Sequence, residues 1–205
     1  TKINGINRVS QITIQEVKDF EPIPNTEKVF DVDALVLSVG LIPENSMAYE
    51  AGLRLDVTTR GPVVSNNYET SIKGVFSCGN SLHVHDLVDY VTIEAENTAI
   101  GVVNYLNNNT QKENRLMSVS VGDGISYVVP QTIDLNAVSD HVELSYRVKS
   151  ICANVTVALR SNSKVINKLR PTKLYPSEMH KIKIRKSQIL DGADVLKIVL
   201  MEVDQ

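Results

Sequence analysis

The sequence contains little cysteine, and this limits the redox and metal chemistry it can carry. There are two cysteines in 205 residues, Cys78 and Cys152, and they form no Cys-x-x-Cys motif. A redox-active cysteine pair or a cysteine-rich zinc site within the chain is therefore excluded. The N-terminus also has no apolar signal core, which with the missing cysteine pair disfavours a secreted adhesion-type domain. We expect both cysteines to pack as small hydrophobic residues in strands.

Two further features are missing: a run of basic residues and a long apolar stretch. The formal net charge is −3, and no basic run is present that could follow a phosphate backbone, so we expect no nucleic-acid partner. No apolar stretch approaches the length of a bilayer span, so we expect no membrane span. A hydrophobic content of 42% and a charged content of 22% are ordinary for a globular protein. These features together predict a cytoplasmic protein.

The most informative stretch runs from Thr70 to Leu106 and predicts a strand, a glycine turn, a polar loop and a helix. The apolar residues from Val75 to Cys78 are typical of a parallel strand that is buried on both faces. Gly79 can adopt positive φ and allow a close approach to the backbone. From Tyr90 onward apolar residues recur every three or four positions, as in an amphipathic helix. Ligands of open α/β sheets bind at such strand ends and helix starts.

Two motifs in the sequence, one of them within this stretch, resemble signatures of one enzyme superfamily. Residues 70–80 resemble the second flavin-binding motif of the pyridine nucleotide-disulfide oxidoreductases, and residues 33–45, an apolar run ending in Gly-x-x-Pro, resemble the motif before it. The sequence of residues 78–86 is similar to that of a subgroup of NAD(FAD)-dependent dehydrogenases associated with anaerobic glycerol-3-phosphate dehydrogenase. Asn80 stands where the wider family has aspartate, so the acceptor oxygen is kept but the charge is lost.

The resemblance implies a parent protein that binds FAD and NAD(P)H and passes hydride from the nicotinamide to the flavin, then to an unknown acceptor. It also implies contacts to the ribityl–pyrophosphate part of FAD after the strand, and contacts to the flavin pyrimidine ring at the helix start. For Gly40, chain reversal is the main reading and a cofactor contact the minor one. The alternative for the whole stretch is a plain strand–loop–helix crossover. The candidate cofactor-binding residues are Gly40, Gly79, Asn80, Leu87, Val88 and Asp89.

His83 and His85 are the candidate catalytic residues of the loop. A histidine above the flavin could shuttle a proton near neutral pH, and the alternative is that both side chains cap or pack within a polar loop. Together with Asp86 they offer too few ligands for a closed zinc site, so we expect no metal.

The glycine-rich Gly-x-Gly-x-x-Gly loops that the resembling family uses for FAD and NAD(P)H do not occur in this sequence. We therefore expect the chain to be the C-terminal part of a longer protein, with the missing N-terminal part as its partner. Without a loop to hold the pyrophosphate, this part alone is expected to be inactive and not to retain FAD.

The pattern changes after residue 111, where short strand-like runs recur with turn residues between them. The fold prediction is an α/β region at residues 1–111, a partial FAD/NAD(P)-binding fold, followed by an all-β antiparallel sandwich at residues 112–205. Alternatively, the sandwich is the functional part and docks a partner redox subunit. We expect a homo-oligomer, although many relatives dimerise through an α/β module that this sandwich does not resemble. The predicted strands are residues 125–130, 142–148, 153–159, 165–169, 180–184 and 195–200.

Overall fold

The computed structural model describes residues 2–18, 21–37, 40–107, 115–162, 164–189 and 195–202. The chain divides into two compact units, Thr1–Leu41 and Ile42–Gln205, and each is treated by itself below. Within the described ranges no helix is long and apolar enough to cross a membrane.

The first unit consists of short antiparallel strands. The three-stranded sheet has the order β1-β2-β5, and β3 pairs with β4. The near-alternation of residues 8–17 predicts a half-exposed strand, and β2 with its neighbour β3 confirms it. The five strands are β1 (Lys2–Asn4), β2 (Gln11–Ile14), β3 (Val17–Lys18), β4 (Glu21–Pro22) and β5 (Lys28–Asp31).

The apolar composition of residues 35–39 predicts a buried strand, but the described part of this run, residues 35–37, forms none. Val36 and Leu37 are 90% and 69% exposed. Ser38 and Val39 lie outside the described residues. A strand that is apolar on both faces needs neighbours on both sides, and the described part of the chain supplies none here.

The helical part of the second unit contains α1 (Ser46–Glu50) and α2 (Val88–Asn107). Asn45 occupies the N-cap position of α1, and Gly52 follows its end with φ +77°. Helix α2 confirms the periodicity prediction. Its buried stripe, however, consists of Glu94, Thr98 and Gly101. The apolar residues Ile100, Val103 and Leu106 are exposed instead, so the apolar face does not pack on the described part of the chain.

The predicted parallel strand before Gly79 is also absent. Phe76 makes only an isolated antiparallel bridge with Glu69, and Val75 is 38% exposed. Residues 61–64 likewise form no strand, and Pro62 makes an isolated antiparallel bridge with Leu55. Among the described residues no neighbouring strand is aligned parallel to these segments, and isolated bridges are what remains.

The C-terminal part of the second unit is rich in strands, and all six predicted runs form strands. The larger sheet has the order β12-β11-β15-β6-β8 and the smaller one β14-β9-β7, with β10 paired to β13. The strands are β6 (Leu116–Val121), β7 (Ile125–Val129), β8 (Thr132–Asp134), β9 (His141–Val148), β10 (Cys152–Ala153), β11 (Val155–Ser161), β12 (Lys164–Leu169), β13 (Lys173–Leu174), β14 (His180–Arg185) and β15 (Val195–Glu202).

The two main sheets share one hydrophobic core. Leu144 and Ile182 of the smaller sheet pack in the same buried cluster as Leu159 and Ile198 of the larger sheet. The alternation of buried and exposed residues along β9 and β14 is what a sheet with one core-facing side requires. The prediction of a purely antiparallel sandwich is wrong in one detail, because β15 pairs with β6 in parallel register. Strand β15 lies between β6 and β11, so its second edge is antiparallel.

A smaller core joins the helical part of the second unit to its strand-rich part. Val64 and Leu82, both fully buried, pack against Val129 of β7. The backbone of Val64 also accepts a hydrogen bond from the Thr132 N–H, and the Gln131 side chain accepts one from the Val64 N–H. The loop that contains Leu82 is therefore anchored on the strand-rich part. The predicted boundary at residues 111 and 112 falls in a stretch outside the described residues and stays a prediction.

Candidate functional site

Gly79 forms the turn that the sequence predicts. Its φ is +68°, in the left-handed region that favours glycine, and it begins a short 3-10 turn of residues Gly79–Ser81. The Gly79 N–H is buried and donates to Oε1 of Glu94 at 2.6 Å. The turn is thus fixed to helix α2 by one charge-assisted hydrogen bond.

Two histidines of the loop converge on the same glutamate. Nε2 of His83 lies 2.8 Å from Oε2 of Glu94, and Nε2 of His85 lies 3.0 Å from Oε1. The side chains are 0%, 3% and 7% exposed in the order His83, His85, Glu94. The ring centroids of the two histidines are 4.5 Å apart. The loop and helix α2 are therefore joined by one buried polar cluster, which we call the His–Glu cluster.

The electrostatics of the His–Glu cluster keep its carboxylate ionised. Burial by itself would raise the pKa of Glu94, but the hydrogen bonds from His83 and His85 and their charge interactions lower the pKa to about 2. Burial, with a contribution from the Glu94 charge, raises the pKa of nearby Tyr68. Nδ1 of each histidine is buried and has no hydrogen-bond partner among the described residues. The cluster therefore combines a buried anion with two unsatisfied ring nitrogens.

The rest of the loop is fixed to the strand-rich part by a second ion pair. Asp86 pairs with Arg147 of β9 and accepts a hydrogen bond from the Met179 N–H at 2.6 Å. The Arg147 guanidinium also donates to the Tyr127 hydroxyl at 2.9 Å and to the Val84 carbonyl at 3.1 Å. These contacts hold both ends of the His83–Asp86 segment.

The remaining candidate cofactor-binding residues lie on accessible surface. Asn80 is exposed, but its Oδ1 accepts the His85 N–H at 3.1 Å, so its NH₂ group is what remains for a ligand. Leu87 and Val88 are 55% and 76% exposed at the start of α2, and Asp89 is exposed beside them. The structure therefore brings Gly79, Asn80 and the start of α2 together at one end of the loop. Gly40 is exposed and lies in the first unit.

A comparison with protein families identifies the N-terminal half. Residues 2–118 match the family described as pyridine nucleotide-disulphide oxidoreductase. The matched region is more than half of the chain. The chain belongs to this family.

Among curated proteins, this oxidoreductase chain is similar to the nitric oxide reductase FlRd-NAD(+) reductase of Klebsiella pneumoniae (strain 342). The two are 36% identical over 62 residues, which are 30% of this chain and 16% of the relative. The chain thus matches about a sixth of the relative's length. No solved structure matches the chain significantly.

The family typically uses FAD and NAD(P)H. Gly79 itself is buried, its N–H donates to Glu94, and an added Cβ would meet the Val91 side chain at 3.4 Å, so this residue offers a ligand little exposed backbone. The exposed NH₂ group of Asn80 and the accessible helix start offer donors for sugar and ring oxygens. These groups account for one part of a dinucleotide site; the sequence contains no glycine-rich loop for the pyrophosphate.

Sequence reasoning missed two residues that organise the site, Glu94 and Arg147. Glu94 lies within a helical pattern, eleven positions after His83. Its contact with the loop depends on which face of α2 packs there, and the sequence pattern does not show this. Arg147 is 61 positions from Asp86. It lies on a strand with the usual alternation of apolar and polar residues, so nothing in the local pattern distinguishes it. The one available signal for Glu94 was an acidic residue on what becomes the buried stripe of α2.

Replacing Asp86 by asparagine is expected to lower the free energy of unfolding by about 2 kcal/mol, since Arg147 would lose its charged partner. The asparagine oxygen can still accept the Met179 N–H, so the change isolates the ion pair. Urea denaturation measures the difference. Asp89→Asn, on the exposed start of α2, is the control and is expected to change little. Equal effects of the two substitutions would contradict a role for the Asp86–Arg147 pair.

Proposed function

We propose that this chain supplies the C-terminal part of the FAD site of an oxidoreductase that passes hydride from NAD(P)H to FAD and then to an acceptor. The observation that carries the proposal is the positive-φ turn at Gly79, which the family motif predicts and which leads to an accessible helix start. Family membership supports the use of these cofactors.

Each candidate residue has a separate task in this proposal. Gly79 forms the turn that brings Asn80 to the surface, and the Asn80 NH₂ group donates to an oxygen of the ribityl–pyrophosphate chain. The first turn of α2, at Leu87, Val88 and Asp89, presents backbone N–H groups whose partial positive charge stabilises negative charge on the flavin ring. The hydride chemistry itself is supplied by the bound cofactors.

The His–Glu cluster acts on this site through position. His83 and Glu94 are too deeply buried to contact the flavin directly, and both hold the Gly79 turn against α2. His85 also holds the loop through its backbone N–H, which donates to Asn80. We assign the histidines a positioning role in place of the proton shuttle considered above.

We further propose that the pyrophosphate-binding glycine loop is supplied by a segment outside this sequence. The exposed apolar residues of α2, among them Ile100, Val103 and Leu106, are consistent with a surface that another part of the protein covers. The chain alone would then be inactive and would not retain FAD. The same proposal has two further parts. Residues 1–111 and 112–205 form separate domains, and the protein is a cytoplasmic homo-oligomer.

The experiment has two arms. The coding sequence upstream of Thr1 is read, and an apolar strand followed by Gly-x-Gly-x-x-Gly is expected. The longer protein is then purified and its flavin absorbance measured, with NADH added to reduce it. Asn80→Leu is expected to weaken FAD binding about tenfold, the effect of one lost hydrogen bond to the cofactor.

Asn104→Leu, at an exposed position of helix α2, is the control and should bind FAD normally. A longer protein without flavin, or with equal FAD affinity in both variants, would refute the cofactor role of the loop. Stoichiometric flavin in the 205-residue chain alone would refute its dependence on another segment.

A further inference from the structure

We propose that His83, His85 and Glu94 bind a divalent transition-metal ion of the zinc class, which ties the loop after Gly79 to helix α2. This inference goes beyond the proposed flavin site and rests on the His–Glu cluster alone. Two histidines and one glutamate are a ligand set that zinc uses in proteins, with water as a fourth ligand.

The ligand atoms already converge. One ligand atom from each of the three residues can be chosen so that all lie within 4.8 Å of one another. The Nε2–Oε distances of 2.8 and 3.0 Å are near the separation of about 3.3 Å between ligand atoms around tetrahedral zinc. A small outward movement of the side chains would admit the ion. The expectation of no metal considered Asp86 as the acidic ligand. In the structure Asp86 pairs with Arg147, and Glu94 is the acidic residue beside the two histidines.

The charge balance of the cluster favours a cation. A carboxylate buried away from water carries a negative charge that is costly unless a cation lies beside it. A divalent ion would compensate it. The rival cation is a proton on one imidazole, and the experiment below distinguishes the two.

The surroundings provide for both the histidines and a fourth ligand. Among the described residues neither Nδ1 has a partner that would hold it as an acceptor, so each ring can carry its proton there and present the Nε2 lone pair to the ion. A cavity of about 20 Å³ is lined by His85 and Glu94 and has room for one water molecule. Because all three side chains are more than nine-tenths buried, the ion would be structural and not a site for substrate.

The test uses the full 205-residue chain. The protein is stripped with a chelator, loaded with Zn²⁺ or Co²⁺, desalted and assayed for bound metal by elemental analysis. One ion per chain is expected, with a higher melting temperature and the visible absorption bands of tetrahedral Co²⁺. Glu94→Gln and His83→Asn are expected to lower zinc affinity by about a hundredfold or more, since each removes a direct ligand.

Two matched controls are Glu96→Gln, exposed on the same helix, and His141→Asn, exposed at the start of β9; both should bind metal as the unchanged chain does. Should the ligand variants fail to fold, X-ray absorption of the zinc-loaded unchanged chain decides, and two imidazoles per zinc are expected. No metal uptake at neutral pH, wild-type affinity in the ligand variants, or zinc bound without imidazole overturns the proposal. Each of these outcomes would leave the His–Glu cluster as a hydrogen-bonded network without a metal ion. None of these readouts depends on flavin.

Discussion

Replacing Glu94 by alanine is expected to lower the free energy of unfolding by about 3–5 kcal/mol, the largest effect of any single side chain in the loop region. The Glu94 carboxylate accepts hydrogen bonds from three donors that have no other acceptor among the described residues: the Gly79 N–H and the two histidine rings. All three are buried, so its removal leaves their polar groups without a partner. The turn at Gly79 would lose its link to α2.

The measurement is urea denaturation at neutral pH in the presence of a chelator, so that no bound metal contributes. Glu96→Ala is the matched control because it removes the same atoms from an exposed position of α2. That variant is expected to change stability by less than about 0.5 kcal/mol. A loss at Glu94 no greater than at Glu96 would show that the His–Glu cluster is not a stabilising network.

Because the pKa of Glu94 is lowered, the contribution of its carboxylate to the free energy of unfolding depends on pH. The pKa is lowered to about 2 in the folded chain from its ordinary value of 4.5. The contribution of the ionised carboxylate is therefore complete above pH 4.5 and is lost as the pH falls from 4.5 towards 2. A shift of this size corresponds to about 3 kcal/mol. The difference in stability between the unchanged chain and Glu94→Ala should narrow over this range, and a difference independent of pH would contradict the assignment.

The features that the sequence predicts correctly depend on local patterns. Helix α2 follows from apolar spacing, the C-terminal strands follow from alternation and turn residues, and the positive φ of Gly79 follows from its place after an apolar run. Each of these signals lies within a few residues of the feature it predicts. The family match to residues 2–118 likewise confirms the resemblance carried by the motifs at residues 33–45 and 70–80.

The features that the sequence does not predict depend on contacts between segments that are far apart in the chain. The runs at residues 35–39 and 75–78 have the composition of buried parallel strands, but a strand also requires neighbours that local composition does not reveal. The parallel pairing of β15 with β6 joins residues nearly 80 positions apart. The same holds for the site, because Glu94 and Arg147 become functional neighbours of the loop only after α2 and β9 are packed against it.

Gly61→Ala is expected to lower the free energy of unfolding by about 3 kcal/mol or more, since overpacking against rigid backbone is costly. A Cβ at this position would lie 1.9 Å from the Leu82 carbonyl oxygen and 2.7 Å from that of Ser81. These atoms belong to the loop between the Gly79 turn and His83, and Leu82 is fully buried, so the loop has no free direction in which to move. The absence of a side chain at Gly61 thus lets the loop lie where the His–Glu cluster needs it.

The matched control is Gly40→Ala, because an added Cβ there meets nothing within 4 Å and the residue is exposed. Neither glycine has a positive φ, so the comparison isolates the steric clash from backbone strain. Thermal unfolding gives the change in stability, and hydrogen exchange reports whether the amides of Gly79 and His85 lose protection. If Gly61→Ala unfolds at the same temperature as Gly40→Ala and keeps those amides protected, the close packing of the loop on Gly61 is wrong, and the position of the His–Glu cluster must be set by α2 alone.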